Sequence, residues 1–521
     1  MHCLQSLYFS ITHYKYHSSP IDYVYTADGK LKAINHANKA HDPGQDGVSN
    51  GFARDVFCMN LEYHSGDYKR SGRNISSIQS GSTAQHYSGL INGASWHTSK
   101  PASVTGPNPA LMNTYTYDSR YQLSQSNWGT PNFTGGSFAP ASNTNQERGL
   151  TYDAHGNIKM LQRTNGSGVQ VANYTYNYTA NSNRLASITN YASYSYDAIG
   201  QLTSEVKGSQ GRYLTYDASG KVTAIHSNAA RTNLILSFAY DENGNRIKKQ
   251  DHLQNVTTWY VEGNVYNGSQ LIEQTIPYGQ YYKSGNVYRY QLTDHVGSVR
   301  AIINRTKLSD GNADVVYYAD YYPFGSVIQS AGIPSRYGYQ GEYSEKDNET
   351  GWNNFYLRNY DPAIGRWLST DPYGQYWSPY VGMGNNPITG YDPDGGWSLG
   401  GDPDKPAYRV LLDEVVVTAK SSWKWAANSF NNVNWAQQWD SFQSGMPLWG
   451  TSRQFGGAMN KGDYLGAIGH LGTSYAAAST LALGTLWQKP AQFALTRTST
   501  AIVDDAAKRG TDSYWRRNEA W

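Results

Sequence analysis

Residues 196–222 read YDAIGQLTSEVKGSQGRYLTYDASGKV, and the Tyr-Asp-x-x-Gly string at each end of this stretch decides the fold. Tyr ends a strand, where its ring packs on a pleated face and its hydroxyl reaches a polar partner. Asp accepts a hydrogen bond from the backbone two residues on and so starts a turn. Gly supplies a backbone conformation closed to other residues. Alternating sequence then resumes, so each copy predicts a β-hairpin hinge.

Working outward, the same pattern occurs as YTADGKL at Tyr25, YDSRYQL at Tyr117, YDAHGNI at Tyr152 and YDENGNR at Tyr240. Five of the six copies place Gly four residues after the Tyr, at Gly29, Gly156, Gly200, Gly220 and Gly244; Tyr121 takes that place in the copy at Tyr117. Ahead of several turns the chain alternates as T-Y-T-Y-D or S-Y-S-Y-D, which puts tyrosines on one face. One hairpin cannot bury that face, whereas hairpins paired side by side can, and they form a long ribbon. Residues 31–110 have weaker periodicity, with a loop-rich insertion around HANKAHDPGQDGVSNGFARDVF.

Composition agrees with this reading. Charged residues make up 16% of the 521, against roughly 25% in an average soluble domain, yet mean hydropathy is −0.65. Uncharged polar groups and the hydroxyls of 45 Tyr carry the polarity, and 52 Gly mark turns. A net charge of +2 with no run of Lys or Arg excludes a nucleic-acid footprint. Cys3 and Cys58 allow one disulfide but cannot organise the chain, and no metal-ligand spacing involves them. No metal or cofactor is expected.

The stretch from Tyr290 to Gly396 is the most distinctive. It contains LTDHVGSVRAI (Asp294, His295, Gly297, Ser298, Arg300), DYYPFG (Asp320–Gly325) and RYGYQG (Arg336–Gly341). Glu349-Thr350-Gly351, NYDPAIGRW (Asn359–Trp367), STDP (Ser369–Pro372), Asn385-Asn386-Pro387 and YDPDG (Tyr391–Gly395) follow. Together with the repeats, these blocks resemble Rhs proteins and the shell subunits of insecticidal toxin complexes over about residues 20–396. The Tyr290–Gly396 stretch resembles the Rhs repeat-associated core. The resemblance implies a mainly β fold, in which the Tyr-Asp ribbon spirals into a shell around a C-terminal payload and the core domain closes it. The boundaries are then 1–289 for the ribbon, 290–396 for the core, 397–420 for a linker with a short strand, and 421–521 for a small, mainly helical variable region. An Asp294, His295 and Ser298 triad is a weaker reading than a structural turn, because all three lie in one strand-turn.

Asp371-Pro372 and Asp392-Pro393 are the candidate chemistry. Two carboxylates brought close together cannot both ionise, so one activates a water while its protonated neighbour polarises the scissile carbonyl. The resemblance implies that Asp371 and Asp392 cut the chain after Gly396, with Arg366 as a supporting cation, and release residues 397–521. The other reading is that both aspartates cap turns.

The remaining segments carry less. The opening MHCLQSLYFSITHYKYHSS lacks the long apolar core of a signal peptide, and the repeats begin almost at once, which reads as the downstream piece of a longer chain. Residues 464–488 contain no Asp, Glu, Lys or Arg and read as a helical hairpin packed through small residues, or as a segment that helps a payload cross a membrane. His470, Asp504, Asp505, Lys508, Arg509, Arg516 and Arg517 form no assignable site. The functional expectation is a secreted or cell-surface Rhs-type toxin fragment, with an immunity protein, and secretion machinery or an upstream shell portion, as partners. The competing expectations are a non-enzymatic surface protein that binds carbohydrate on its tyrosine faces and a degenerate remnant without an active payload.

Overall fold

The computed structural model describes residues 21–400 apart from 27, 39–40, 45, 47–51, 69–77, 79–86 and 342–343. Cys3, the expected strand at 411–420 and the helical region to 521 lie outside the described residues. Nearly all the regular secondary structure among the described residues is antiparallel sheet, its strands joined by turns and loops. Twenty-five strands, from Tyr23–Tyr25 to Val327–Gly332, form one hydrogen-bonded ladder. Neighbours in sequence are mostly neighbours in the sheet; the hairpin tip Ser137–Pro140 pairs only with Leu123–Asn132, which also meets Glu147–Tyr152. The ladder passes through Tyr290 without a break and continues to Gly332. Met383–Asn385 form a short helical turn, and among the described residues no helix is long and apolar enough to cross a membrane.

The Tyr-Asp turns show why each residue is there. Asp153, Asp197, Asp217 and Asp241 each accept two backbone N–H groups through Oδ1, from residues two and four positions on, at 2.8–3.1 Å. Thr26 Oγ1 accepts Lys30 N–H in the first copy. The glycines have φ near +85°, as at Gly156 and Gly220, and Tyr121 holds φ +62° in the copy that lacks Gly. The turn therefore keeps its shape there at some cost in backbone strain.

Each turn tyrosine sits at a register slip. The pairing shifts at Tyr117, Tyr152, Tyr196, Tyr216 and Tyr240. A bulge bends its strand and tightens the twist. The bend aims the ring at the preceding hairpin: the hydroxyls of Tyr117, Tyr152, Tyr178, Tyr216 and Tyr240 donate to the carbonyls of Ile91, Leu123, Ile158, Leu202 and Val222 at 2.5–2.9 Å. Those acceptors from Leu123 onward are themselves buried apolar residues in the main core, with Leu161, Leu185, Leu214, Ile225 and Leu236. Each such side chain contributes about 1.5–3 kcal/mol on burial. The tyrosine ladder thus links the hairpins from Ile91 to Tyr240 in series.

After Gly332 the chain changes character. Glu345–Lys346, Asn353–Asn354, Asn359–Asp361 and Arg366–Trp367 form a small four-stranded sheet, and Gly390–Tyr391 pairs with Leu399–Gly400. Tyr339, Phe355, Tyr360, Trp367 and Met383 form a second core. This segment lies along successive ribbon turns. Asn385 Nδ2 donates to Gly156 O at 2.6 Å and the Tyr380 hydroxyl to Gly200 O at 2.7 Å. The Tyr356 hydroxyl donates to Asn243 O, and Lys221 Nζ to Tyr356 O. The turns that shape the ribbon also seat the segment bearing the aspartates.

Candidate functional site

Asp371 and Asp392 belong to different loops, and one guanidinium lies against both. Arg358, on the turn between Asn353–Asn354 and Asn359–Asp361, is buried with its Cζ 4.3 Å from the centre of the Trp367 ring. Its Nη2 is 3.3 Å from Asp392 Oδ2 and 3.8 Å from Asp371 Oδ1. Its Nε donates to Gly395 O and its Nη1 to Pro379 O at 3.3 Å. The fork of an arginine, unlike a lysine, serves several such acceptors at once.

Each aspartate also shapes its own loop. Asp371 Oδ1 accepts Tyr373 N–H at 2.9 Å and Oδ2 accepts Gln375 N–H at 3.0 Å. Asp392 is fully buried, and its Oδ1 accepts Gly395 N–H at 2.8 Å and Gly396 N–H at 3.0 Å. The Asp392 amide donates to Gln340 Oε1 at 2.9 Å. Burial pushes the Asp392 carboxyl up to about 6; Arg358 pulls against that shift and Asp394 adds to it. Burial also lowers Arg358 from the usual guanidinium range, while Asp371 and Asp392 hold it up.

The backbone around Gly396 is held from both sides. Gly395 has φ +79°, and a β-carbon there would meet Phe355 Cβ at 2.9 Å. At Gly396 a β-carbon would meet a Leu357 methyl at 2.5 Å and the Tyr373 ring edge at 2.7 Å. Trp397 stands edge-on to Tyr373 with ring centres 6.1 Å apart. Beyond it, Ser398 N–H donates to Gln375 Oε1 at 2.6 Å, and Gln375 Nε2 donates to Ser398 O at 3.1 Å.

The three expected site residues are not all together. Asp371 and Asp392 share a cation, but that cation is Arg358. Arg366 is buried elsewhere, donating to Asn157 Oδ1, the Tyr178 hydroxyl and Asn183 O at 2.9–3.2 Å, with Tyr178 and Tyr380 rings 5.0 and 5.2 Å away. It ties the core segment to ribbon turns. Arg358 stands two residues before Tyr360-Asp361-Pro362, and Gln375 directly follows Asp371-Pro372-Tyr373-Gly374. That proximity to motif blocks was the signal available in the sequence for both.

Asp294, His295 and Ser298 form a turn. Asp294 Oδ1 accepts Val296 and Ser298 N–H, His295 Nε2 contacts Ile388 O at 2.6 Å, and Ser298 Oγ accepts Gln340 N–H. Arg300 pairs with Asp294 at 3.5 Å and with Asp320, joining the LTDHVGSVR and DYYPFG blocks. No group of His, Cys, Asp and Glu among the described residues is arranged to hold a metal.

A bulged Tyr-Asp hairpin ribbon seating a compact motif-rich segment is the architecture of a YD-shell protein. The Teneurin YD-shell family model matches residues 107–386, more than half of the chain, and the protein belongs to that family. The chain is 36% identical over 155 residues to salivary gland surface protein 1 of Aedes aegypti, covering 29% of this chain and 4% of that protein. It is 27% identical over 338 residues to toxin subunit YenC1 of Yersinia entomophaga, covering 54% of this chain and 33% of that subunit. The crystal structure of TcdB2-TccC3-Cdc42 aligns with a TM-score of 0.52 at 19% identity, over 72% of this chain and 18% of that one. At that identity the likeness concerns the fold. The chain spans a third or less of the curated relatives named.

Proposed function

We propose that this chain is the shell portion of an Rhs-type toxin that cuts its own backbone between Gly396 and Trp397 and so frees residues 397–521 as a separate effector. One observation carries the reading: Asp392 binds the amides of Gly395 and Gly396, while Arg358 ties it to Asp371. In this scheme Asp371 takes a proton from water, whose oxygen bonds to the Gly396 carbonyl carbon. Asp392, held near half-protonation around pH 6 by its burial, gives a proton to the Trp397 nitrogen as the C–N bond breaks. The products are a Gly396 carboxylate and a Trp397 amine. Arg358 balances the charge passing between the two carboxylates. The toxin is secreted or carried at the cell surface, assembles with an upstream shell portion or secretion machinery, and its effector is neutralised in the producing bacterium by an immunity protein.

The test is the intact mass of the purified chain. Two masses, for residues 1–396 and 397–521, that merge into one in Asp392→Asn are expected. A single full-length mass for the unchanged sequence overturns the proposal and leaves the aspartates as turn residues.

The likeness to a mosquito surface protein favours a second reading, a non-enzymatic surface protein whose tyrosine faces stack on sugars. Binding to a glycan array by the uncut chain, with no fragment at any pH, is the result that would select it.

A further inference from the structure

The proposed cut needs the bond between Gly396 and Trp397 held in one register, and Asp392 grips only its upstream side. Downstream, the Gln375 side-chain amide meets the Ser398 peptide as a strand neighbour would, accepting its N–H at 2.6 Å and donating to its C=O at 3.1 Å. Such a two-point contact reads backbone position regardless of side chain. Gln375 is itself placed by the candidate site, because its own N–H donates to Asp371 Oδ2 at 3.0 Å. On the same loop, Tyr373 closes against Gly396 and stands edge-on to Trp397. The loop 371–375 therefore contributes a carboxylate at one end and a backbone clamp at the other.

We propose that Gln375 is the positioning residue that sets the cut, gripping the second residue beyond the scissile bond so that the Gly396 carbonyl is presented to the aspartates and its neighbours are not. This rests on the self-cleavage reading. Restricting a reacting group to one geometry is a large rate term, and a small misplacement forfeits much of it.

The experiment follows the full 521-residue chain by intact mass over time from its synthesis, beside Asp392→Asn, Gln375→Met and Gln375→Glu. Methionine keeps the length of the side chain without its amide, and glutamate keeps the acceptor for Ser398 N–H while losing the donor. Cutting in Gln375→Met should slow by about tenfold to a hundredfold, the loss of two hydrogen bonds from a positioned state. Its fragments should spread to masses one or two residues either side of Gly396. Gln375→Glu should fall between Met and the parent, cutting mainly at Gly396. Gln375→Met that cuts at the parental rate and position overturns the inference and leaves self-cleavage standing. So does slower cutting at the unchanged position accompanied by a matching loss of melting temperature, the signature of a merely structural amide. An unchanged chain that never cuts removes self-cleavage itself, and this inference with it.

Discussion

Arg358 and Arg366 are both buried, both stacked on aromatic rings and both within the motif-rich Tyr290–Gly396 stretch, yet they face opposite chemistry. Replacing each by Gln separates them. Arg358→Gln strands two carboxylates that now share its cation, Asp392 at 3.3 Å and Asp371 at 3.8 Å. Removing one partner of a buried ion pair costs about 3–5 kcal/mol. The cost should depend on pH. Asp392 sits near 6 with Arg358 pulling it down, so losing Arg358 raises it further. A carboxyl whose folded value lies above its unfolded value, about 3.9, makes stability fall as pH rises between the two. In the parent that fall ends near pH 6; in Arg358→Gln it continues upward. The deficit of the variant should therefore be larger at pH 8 than at pH 4.5, by about 1.4 kcal/mol for each unit that Asp392 gains. Arg366→Gln loses donors only to neutral acceptors on Asn157, Tyr178 and Asn183. Its deficit should be the same at both pH values. Urea unfolding followed by tryptophan fluorescence at pH 4.5 and 8 reads both. In the same samples, intact mass should show cutting lost in Arg358→Gln and kept in the folded fraction of Arg366→Gln. Equal deficits for Arg358→Gln at the two pH values, or a pH-dependent one for Arg366→Gln, would refute this assignment of roles.

Tyr216→Phe removes a 2.7 Å bond to Leu202 O and should cost about 1–2 kcal/mol, whereas Tyr213→Phe, three residues earlier in the same strand and with no hydrogen bond from its hydroxyl among the described residues, should cost less than about 0.5; urea midpoints compare them. Gly395→Ala forces a β-carbon to 2.9 Å from Phe355 Cβ at φ +79°, and should cost more than about 2 kcal/mol and abolish cutting, so a stable, cutting Gly395→Ala chain would contradict the packing described. Asp361, fully enclosed, is pushed up to about 6 by burial and then by Glu205, and its Oδ2 has no hydrogen-bond partner among the described residues. Its charge thus costs stability above pH 6 and nothing below pH 4, and Asp361→Asn should stabilise the chain by roughly 1–3 kcal/mol at pH 8 with little effect at pH 4, read by the same unfolding midpoints.

The aspartates of the repeats were legible because their work is local. An Asp that accepts amides two and four residues ahead needs only its own neighbours, and a Gly at φ near +85° announces itself. The tyrosines were half legible. Alternation places them on one face, but their hydroxyl bonds reach carbonyls 14–29 residues back, which no local pattern encodes. The bulges that aim them were invisible for the same reason. At the candidate site, the motif blocks pointed to Asp371 and Asp392 but also to Arg366, since nearness in sequence to a motif cannot tell which of two arginines folds inward over it.

What the order of residues determined by itself was a ribbon: turn chemistry within five residues, strand periodicity between turns, and enough copies that hairpins must pair to bury their tyrosine faces. What only the tertiary structure decided was which distant groups meet: Arg358 rather than Arg366 between the carboxylates, Gln375 on Ser398, and Gly396 walled in by Leu357 and Tyr373. Hydrogen bonds closed within one turn are specified by adjacent residues, whereas ion pairs and close packing across loops depend on how the whole ladder bends, and that bend is a sum over every bulge in it.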